Sequence, residues 1–144
     1  MKVFLYTDGG CNPHTDKNGA WAYIVVENDK LIHEMWGVEN DTTNSKMEIL
    51  ALKNALIHAI MMDKTLEIVI RSDSSYCVKS YNEWCHNWKN NKWKKSNKKP
   101  VEHQNEWQII DQLRAPNITV EWVKAHNGDR WNEYADNLCT TYKS

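Results

Sequence analysis

The 144-residue chain reads as a single α/β domain, a mixed five-stranded sheet flanked by helices. Three observations predict this. Residues 2–8 are apolar on both faces, as suits a central strand covered on both sides. Residues 20–27 and 31–38 follow across short connections, which makes an antiparallel meander. A helical pattern over 45–61 then precedes a fourth strand at 65–72, so strands one and four can lie parallel through a right-handed crossover. The length suits one core, and no repeat, low-complexity tract or linker divides residues 1–144.

Composition narrows the class. With 41% hydrophobic and 26% charged residues the chain should fold as a globule. The four cysteines (11, 77, 85 and 139) form no C-x-x-C pair, and Cys11 with His14 lacks a second ligand pair for zinc. Reduced thiols in the cytoplasm are the simpler expectation. The apolar run from Met1 to Asp8 is too short for a signal or anchor, and no later stretch approaches membrane-span length, so no membrane is expected as a partner. Net charge is only −1, but six lysines and no acid fall within residues 89–99. Without those six, 12 basic residues face 19 acids, a net charge of −7. A basic lobe on an acidic body points to a polyanion held at one place, the alternative being a solvated face.

In the first strand Phe4, Tyr6 and Asp8 share a face, since side chains alternate. Asp8-Gly9-Gly10 should break the run and open a loop of about ten residues through Asn12, Pro13, Asp16 and Gly19. Asn28-Asp29-Lys30 marks the turn between strands two and three. In the helix over 45–61, Leu52, Ala55, Leu56 and Ala59 form the apolar stripe, and four residues before Leu52 stands Glu48. An acid on a buried face needs a reason. One is a capping box, Ser45-x-x-Glu48.

The fourth strand stops at Asp73, where open α/β sheets place their chemistry, and Asp73-Ser74-Ser75 also suits a helix N-cap. The next helix, 74–88, packs Cys77 or Val78, Tyr81, Trp84 or Cys85, and Trp88. Trp93 sits in the lysine run, to pack the lobe or to touch a partner, and Pro100 ends that lobe. A helix over 102–114 holds Trp107, Ile110 and Leu113, and a fifth strand over 117–123 sets Ile118, Val120 and Trp122 on one face. After the loop 124–129 a final helix packs Trp131, Tyr134, Ala135, Leu138 and Tyr142, with Asn132 and Asp136 sharing a face.

Each acid alone has a local explanation: turn, cap or surface. Together Asp8, Glu48, Asp73 and Asp136 predict several carboxylates in one small volume. Such a cluster either raises its own pKa values or is neutralised by a cation. An oxygen-only site with open positions suits Mg2+ or Mn2+, and two such ions can clamp the attacking and leaving oxygens of a phosphodiester. With the basic lobe to attract phosphate, this reaches a metal-dependent nuclease or phosphoryl-transfer enzyme.

The chain resembles the type 1 ribonuclease H family, bacterial type with a basic protrusion, over nearly its whole length. The matching pieces are Tyr6-Thr7-Asp8-Gly9-Gly10, Thr42-Thr43-Asn44-Ser45-Lys46-Met47-Glu48 and Ser72-Asp73-Ser74-Ser75-Tyr76. Trp84-x-His86-Asn87-Trp88 continuing to Lys98-Lys99-Pro100-Val101, and Trp122-Val123-Lys124-Ala125-His126 with Asn132 to Asp136, complete the series. The resemblance implies strand order 3-2-1-4-5 and hydrolysis of the RNA strand of RNA/DNA hybrids to 5′-phosphate and 3′-hydroxyl ends. It implies that Asp8, Glu48, Asp73 and Asp136 ligate two Mg2+ ions, with Mn2+ as the alternative, and that His126 shuttles protons. Asn12, Asn44 and Ser75 match positions that sense the RNA 2′-hydroxyl, and Thr43 and Asn87 a pocket for a DNA-strand phosphate. The lobe at 84–100, with Trp88, Trp93, Lys94, Lys95, Lys98 and Lys99, matches the protrusion that grips the hybrid; Asn132 joins the contacts. A monomer is expected.

The chain departs from the family pattern in places. The loop after Asp8 is about two residues shorter than usual, with His14 and Asp16 in place of glycines. Ser75 replaces an amide, Asp41 an arginine beside the phosphate pocket, and Ala125 a glycine before His126. The alternatives are an enzyme of the same fold that cuts DNA, and a hybrid-binding module without catalysis.

Overall fold

The structure is a computed structural model that describes residues 1–11, 17–125 and 127–142, with the side chain of Tyr142 excepted. Five strands form one sheet in the order β3-β2-β1-β4-β5: β1 Lys2–Cys11, β2 Gly19–Glu27, β3 Lys30–Glu39, β4 Glu67–Ser72 and β5 Ile118–Trp122. β1 pairs antiparallel with β2 and parallel with β4, and β5 joins parallel to β4. Asn28 and Asp29 both take positive φ (53° and 57°), the pattern of a tight type I′ hairpin turn between β2 and β3.

β1 does not stop at Asp8. Its pairing with β2 runs on through Asp8↔Ala22, Gly9↔Trp21, Gly10↔Ala20 and Cys11↔Gly19. The expected loop of about ten residues shrinks accordingly, because the two glycines lie extended in the hairpin instead of turning. What does stop near Asp8 is the parallel pairing with β4, whose last partners are Thr7 and Ser72. The next residue on each strand is an acid, Asp8 and Asp73.

Helices cover both faces. α1 (Asn44–Ile60) buries Leu52, Ala55, Leu56 and Ala59, the stripe read from the sequence. With α4 (Gln104–Gln112), which contributes Trp107 and Ile110, it covers Val3, Leu5, Val25, Ile68 and Ile70. On the other face α5 (Arg130–Tyr142) sets Trp131 and Ala135 against Tyr6, Ile24 and Val26. Side chains from both faces of β1 are thus taken out of water, as its two-sided apolar pattern required.

The helix after β4 is longer and less regular than the pattern suggested. α2 (Ser75–Lys79) passes through a π turn, Ser80–Trp84, into α3 (Cys85–Asn90). The wider turn brings Tyr81 and Cys85 inward and leaves Trp84 at 38% exposure. Asn82 reaches from this turn to the Val120 carbonyl of β5 (2.9 Å). Trp88 and Trp93 pack in part against the main core, so the lysine lobe stands on an aromatic base. The lobe closes on itself by a Lys94↔Pro100 bridge and by the Val101 N–H bond to the Trp93 carbonyl (3.0 Å). Among the described residues no helix is long and apolar enough to cross a membrane.

Candidate active site

The helix caps settle what the acids are free to do. Thr43, not Ser45, caps α1: its Oγ1 accepts from the Lys46 N–H at 3.1 Å. Glu48 then stands two residues beyond the position, Lys46, that closes a capping box, and the local explanation for it is corrected. Ser74, not Asp73, caps α2, its Oγ accepting from the Cys77 N–H at 3.2 Å. The Ser74 N–H in turn donates to Ser72 Oγ (3.0 Å). A hydroxyl does the capping in both places, and neither Glu48 nor Asp73 is the N-cap residue.

One carboxylate oxygen from each of Asp8, Glu48 and Asp73 lies within 4.8 Å of the other two. Asp136 stands outside this triad, but its carboxyl is close enough to Asp8 to push the Asp8 carboxyl upward. Asp8 acts on the Glu48 carboxyl in the same way. It therefore joins the two layers, one partner coming from α1 and one from α5. Its backbone is held as well, since the buried Cys139 thiol of α5 donates to the Asp8 carbonyl (3.1 Å).

Gly9 makes the approach from α1 feasible. A Cβ there would sit 2.4 Å from the Met47 carbonyl carbon and 2.6 Å from the Glu48 nitrogen. Only a residue without a side chain lets the first turns of α1 rest on β1 this closely.

The electrostatics follow from the crowding. Burial pushes the Asp8 carboxyl up to about 8, with the Asp73 charge and Asp136 adding to the rise. Glu48 is raised well above the usual carboxylate range by burial, then by the charges of Asp8 and Asp73. Its Oε1 is fully buried without a hydrogen-bond partner among the described residues. A buried carboxylate oxygen without a partner, on a side chain packed beside other carboxylates, costs free energy unless a cation joins it. Oxygen donors alone, several of them charged, match a hard divalent ion. The donor set fits such an ion.

The remaining expected residues are dispersed around this centre. Asn44, at the start of α1, accepts the Cys11 N–H on its Oδ1 at 2.7 Å and is otherwise exposed. With Cys11, Lys17, Asp41, Thr42 and Thr43 it lines a small cleft, so the acid Asp41 does stand in the cleft beside Thr43. Ser75 is exposed at the first turn of α2, and Asn87 on α3. Lys94, Lys98 and Lys99 are exposed on the lobe; Lys95, partly exposed, is 3.9 Å from Glu102. Asn132 is buried in the first turn of α5, its N–H bonded to Asp129 Oδ1 (3.2 Å) and its own Oδ1 without a partner among the described residues. Asn12, His14, Asp16 and His126 lie outside the described residues.

Two residues at the site escaped the sequence reading as candidates. Trp122 donates its indole N–H to the Asp73 carbonyl (3.2 Å), and Lys79 lines the same groove. The available signal was position: Trp122 closes the strand next to the one ending in Asp73, and Lys79 is four residues from Ser75 on one helix face.

A family model described as RNase H matches residues 1–143. Among relatives, the Ribonuclease H of Ruthia magnifica subsp. Calyptogena magnifica is 40% identical over 140 residues, 95% of this chain and 92% of that protein. The Ribonuclease HI of Pseudomonas aeruginosa is 36% identical over 138 residues, covering 95% and 90%. Among solved structures, LC9-RNase H1, a type 1 RNase H with the type 2 active-site motif, has a TM-score of 0.83 at 24% identity. That match covers 99% of this chain and 72% of the other. LC11-RNase H1 in complex with an RNA/DNA hybrid has a TM-score of 0.72 at 21% identity, covering 98% and 96%.

Proposed function

The chain belongs to the RNase H family, and we propose that residues 1–144 act as one catalytic domain that hydrolyses the RNA strand of RNA/DNA hybrids. The observation that carries this reading is the carboxylate triad of Asp8, Glu48 and Asp73, with Asp136 close by, where the parallel pairing of β1 with β4 ends. Relatives named for the activity over 95% of the chain support it, as does the hybrid complex of LC11-RNase H1.

Asp8, Glu48, Asp73 and Asp136 would hold two Mg2+ ions, or Mn2+ in their place. Such ions supply Lewis-acid stabilisation of the phosphodiester and a water acidic enough to act as nucleophile near neutral pH. The bond broken is that between phosphorus and the 3′-oxygen, so water adds to phosphorus and the products carry a 5′-phosphate and a 3′-hydroxyl. His126 takes or returns a proton, as the family resemblance implies. Ser74 and the Trp122 indole fix the backbone on either side of the Asp73 carboxylate, so little reorientation remains for the reacting state.

Asn44 is already oriented, because its Oδ1 is tied to the Cys11 N–H and its amide N–H2 is left to donate. With Asn12 and Ser75 it senses ribose 2′-hydroxyls, which separates RNA from DNA. A hydroxyl at Ser75 reaches less far than an amide. Thr43 and Asn87 take a phosphate of the DNA strand, and Asp41 weakens that pocket by repulsion. The lobe, with Trp88 and Trp93 as its base and Lys94, Lys95, Lys98 and Lys99 as its charge, grips the duplex electrostatically. Asn132 joins the contacts to the hybrid. The protein works as a monomer in the cytoplasm, where its four buried free thiols stay reduced.

The test is cleavage of an end-labelled RNA/DNA hybrid with Mg2+ and with EDTA, beside single-stranded RNA and duplex DNA. Cutting of the RNA in the hybrid alone, and only with metal, is expected. Cutting of duplex DNA, or binding of hybrid without any cutting, would overturn the proposal.

A further inference from the structure

Beside the carboxylates a tryptophan stands in solvent. Trp122 is 51% exposed, whereas Ile118 and Val120 on the same face of β5 are both at 5%. The ring is nonetheless anchored. Its Nε1–H donates to the Asp73 carbonyl at 3.2 Å, and the Val123 N–H donates to the Ser72 carbonyl at 2.9 Å. The single polar atom of the indole is therefore satisfied by the protein, and an apolar face is left toward water. With Ser75, Val78 and Lys79 of α2 it lines a shallow, mainly apolar groove that contains no acid. The neighbouring acid of β5, Glu121, is turned to the other face, where it holds Arg71 at 2.6 Å.

This inference rests on the hybrid-cleaving reading above and names a contact within it. We infer that Trp122 and Lys79 form a further subsite for the RNA strand beside the cleaved phosphate. The indole face takes the C–H face of a ribose, and the Lys79 ammonium takes a neighbouring phosphate. A strand laid over the carboxylates continues in two directions, toward Asn44 at the head of α1 or toward Ser75 and this groove. Within a duplex the bases stack on one another, so a ring at the groove edge meets sugar and not base. The groove offers what a sugar-phosphate unit requires: an apolar surface, one cation and no opposing carboxylate.

Steady-state cleavage of a labelled RNA/DNA hybrid by three variants tests this. Trp122→Ala should raise KM about tenfold, in line with the loss of an aromatic platform, with kcat no lower than in Trp122→Phe, which loses the same N–H anchor. Trp122→Phe, which keeps an apolar ring but loses the N–H, should hold KM near that of the unaltered protein. Lys79→Ala should raise KM and lower its salt dependence by about one phosphate contact. An unchanged KM in Trp122→Ala, with kcat lowered equally in the Ala and Phe variants, would show that the indole only anchors the Asp73 carbonyl, and would overturn the subsite. Failure of the unaltered protein to cut the hybrid is a separate result, seen before any variant is assayed, and overturns the underlying function instead.

Discussion

Gly9 of β1 lies directly beneath the Met47–Glu48 peptide of α1, so close that an added Cβ would meet the Met47 carbonyl carbon at 2.4 Å. This contact sets the height at which Glu48 enters the carboxylate cluster. Gly9→Ala must move α1 or β1, since the obstacle is backbone and not a flexible side chain. We expect a loss of about 1–3 kcal/mol in urea unfolding, the usual cost of overpacking, and a cleavage rate lowered at least tenfold. Wild-type stability and rate in this variant would mean that the contact is not needed to place Glu48.

Asp73→Asn separates chemistry from folding. Ser74 caps α2, so the substitution leaves the helix start intact while it removes one charge from the triad. Cleavage should fall by roughly a hundredfold or more, comparable to losing a main electrostatic element of an active site. The circular dichroism spectrum and Tm should stay close to those of the unaltered protein. Full activity in this variant would remove Asp73 from the site.

Without a divalent cation, stability should decline as pH rises from about 4 to about 8. The folded carboxyl of Asp8 is pushed up to about 8, against its ordinary value of 3.8. Between these values the unfolded chain has released its proton while the folded chain still holds it. The folded state then binds more protons, so the slope of unfolding free energy with pH is negative, at most about 1.4 kcal/mol per pH unit for one proton. Below the lower value the effect is absent, and above the upper one the loss is complete. Glu48, raised in the same direction, adds to it. Thermal melts in EDTA across this range should show the decline, and Mg2+ should reverse it by binding the ionised cluster. A Tm in EDTA that rises steadily over the same range would contradict the crowded-carboxylate picture.

The lysine lobe makes a prediction of another kind. Neutralising Lys94, Lys95, Lys98 and Lys99 together should weaken hybrid binding and reduce the slope of log K against log salt by up to about four contacts. Tm should change little, because the nearest ion pair of this set, Lys95 with Glu102, is long at 3.9 Å and solvent-screened. Filter-binding isotherms at several salt concentrations measure the slope. An unchanged slope would make the lobe a solvated face.

Much of the fold could be read from residue pattern, and the reasons are local. Alternating two-sided apolarity marks β1 as central, and the stripe from Leu52 to Ala59 marks the inner face of α1; both are buried as the spacing requires. The identities of the acids at the junctions were legible too, because an acid at a strand end or on an apolar helix face conflicts with its surroundings. The π turn was not legible. One extra residue in a helical turn leaves no periodic trace over so short a span, and its effect emerges only where Tyr81 and Cys85 meet the core.

By itself the sequence determined the five strands, the helical faces, the lysine lobe and the family to which the chain belongs. The tertiary structure alone decided which explanation of each acid holds. Two hydroxyls took the helix caps, so neither Glu48 nor Asp73 serves as the N-cap residue. The parallel pairing of β1 with β4 ended at Thr7 and Ser72, which set Asp8 beside Asp73. The packing of α5 on the far face brought the Asp136 carboxyl close to Asp8. These are contacts between residues tens of positions apart, and local propensity carries no information about them. Only the packed sheet and its helices bring like charges close enough for a cation to be needed.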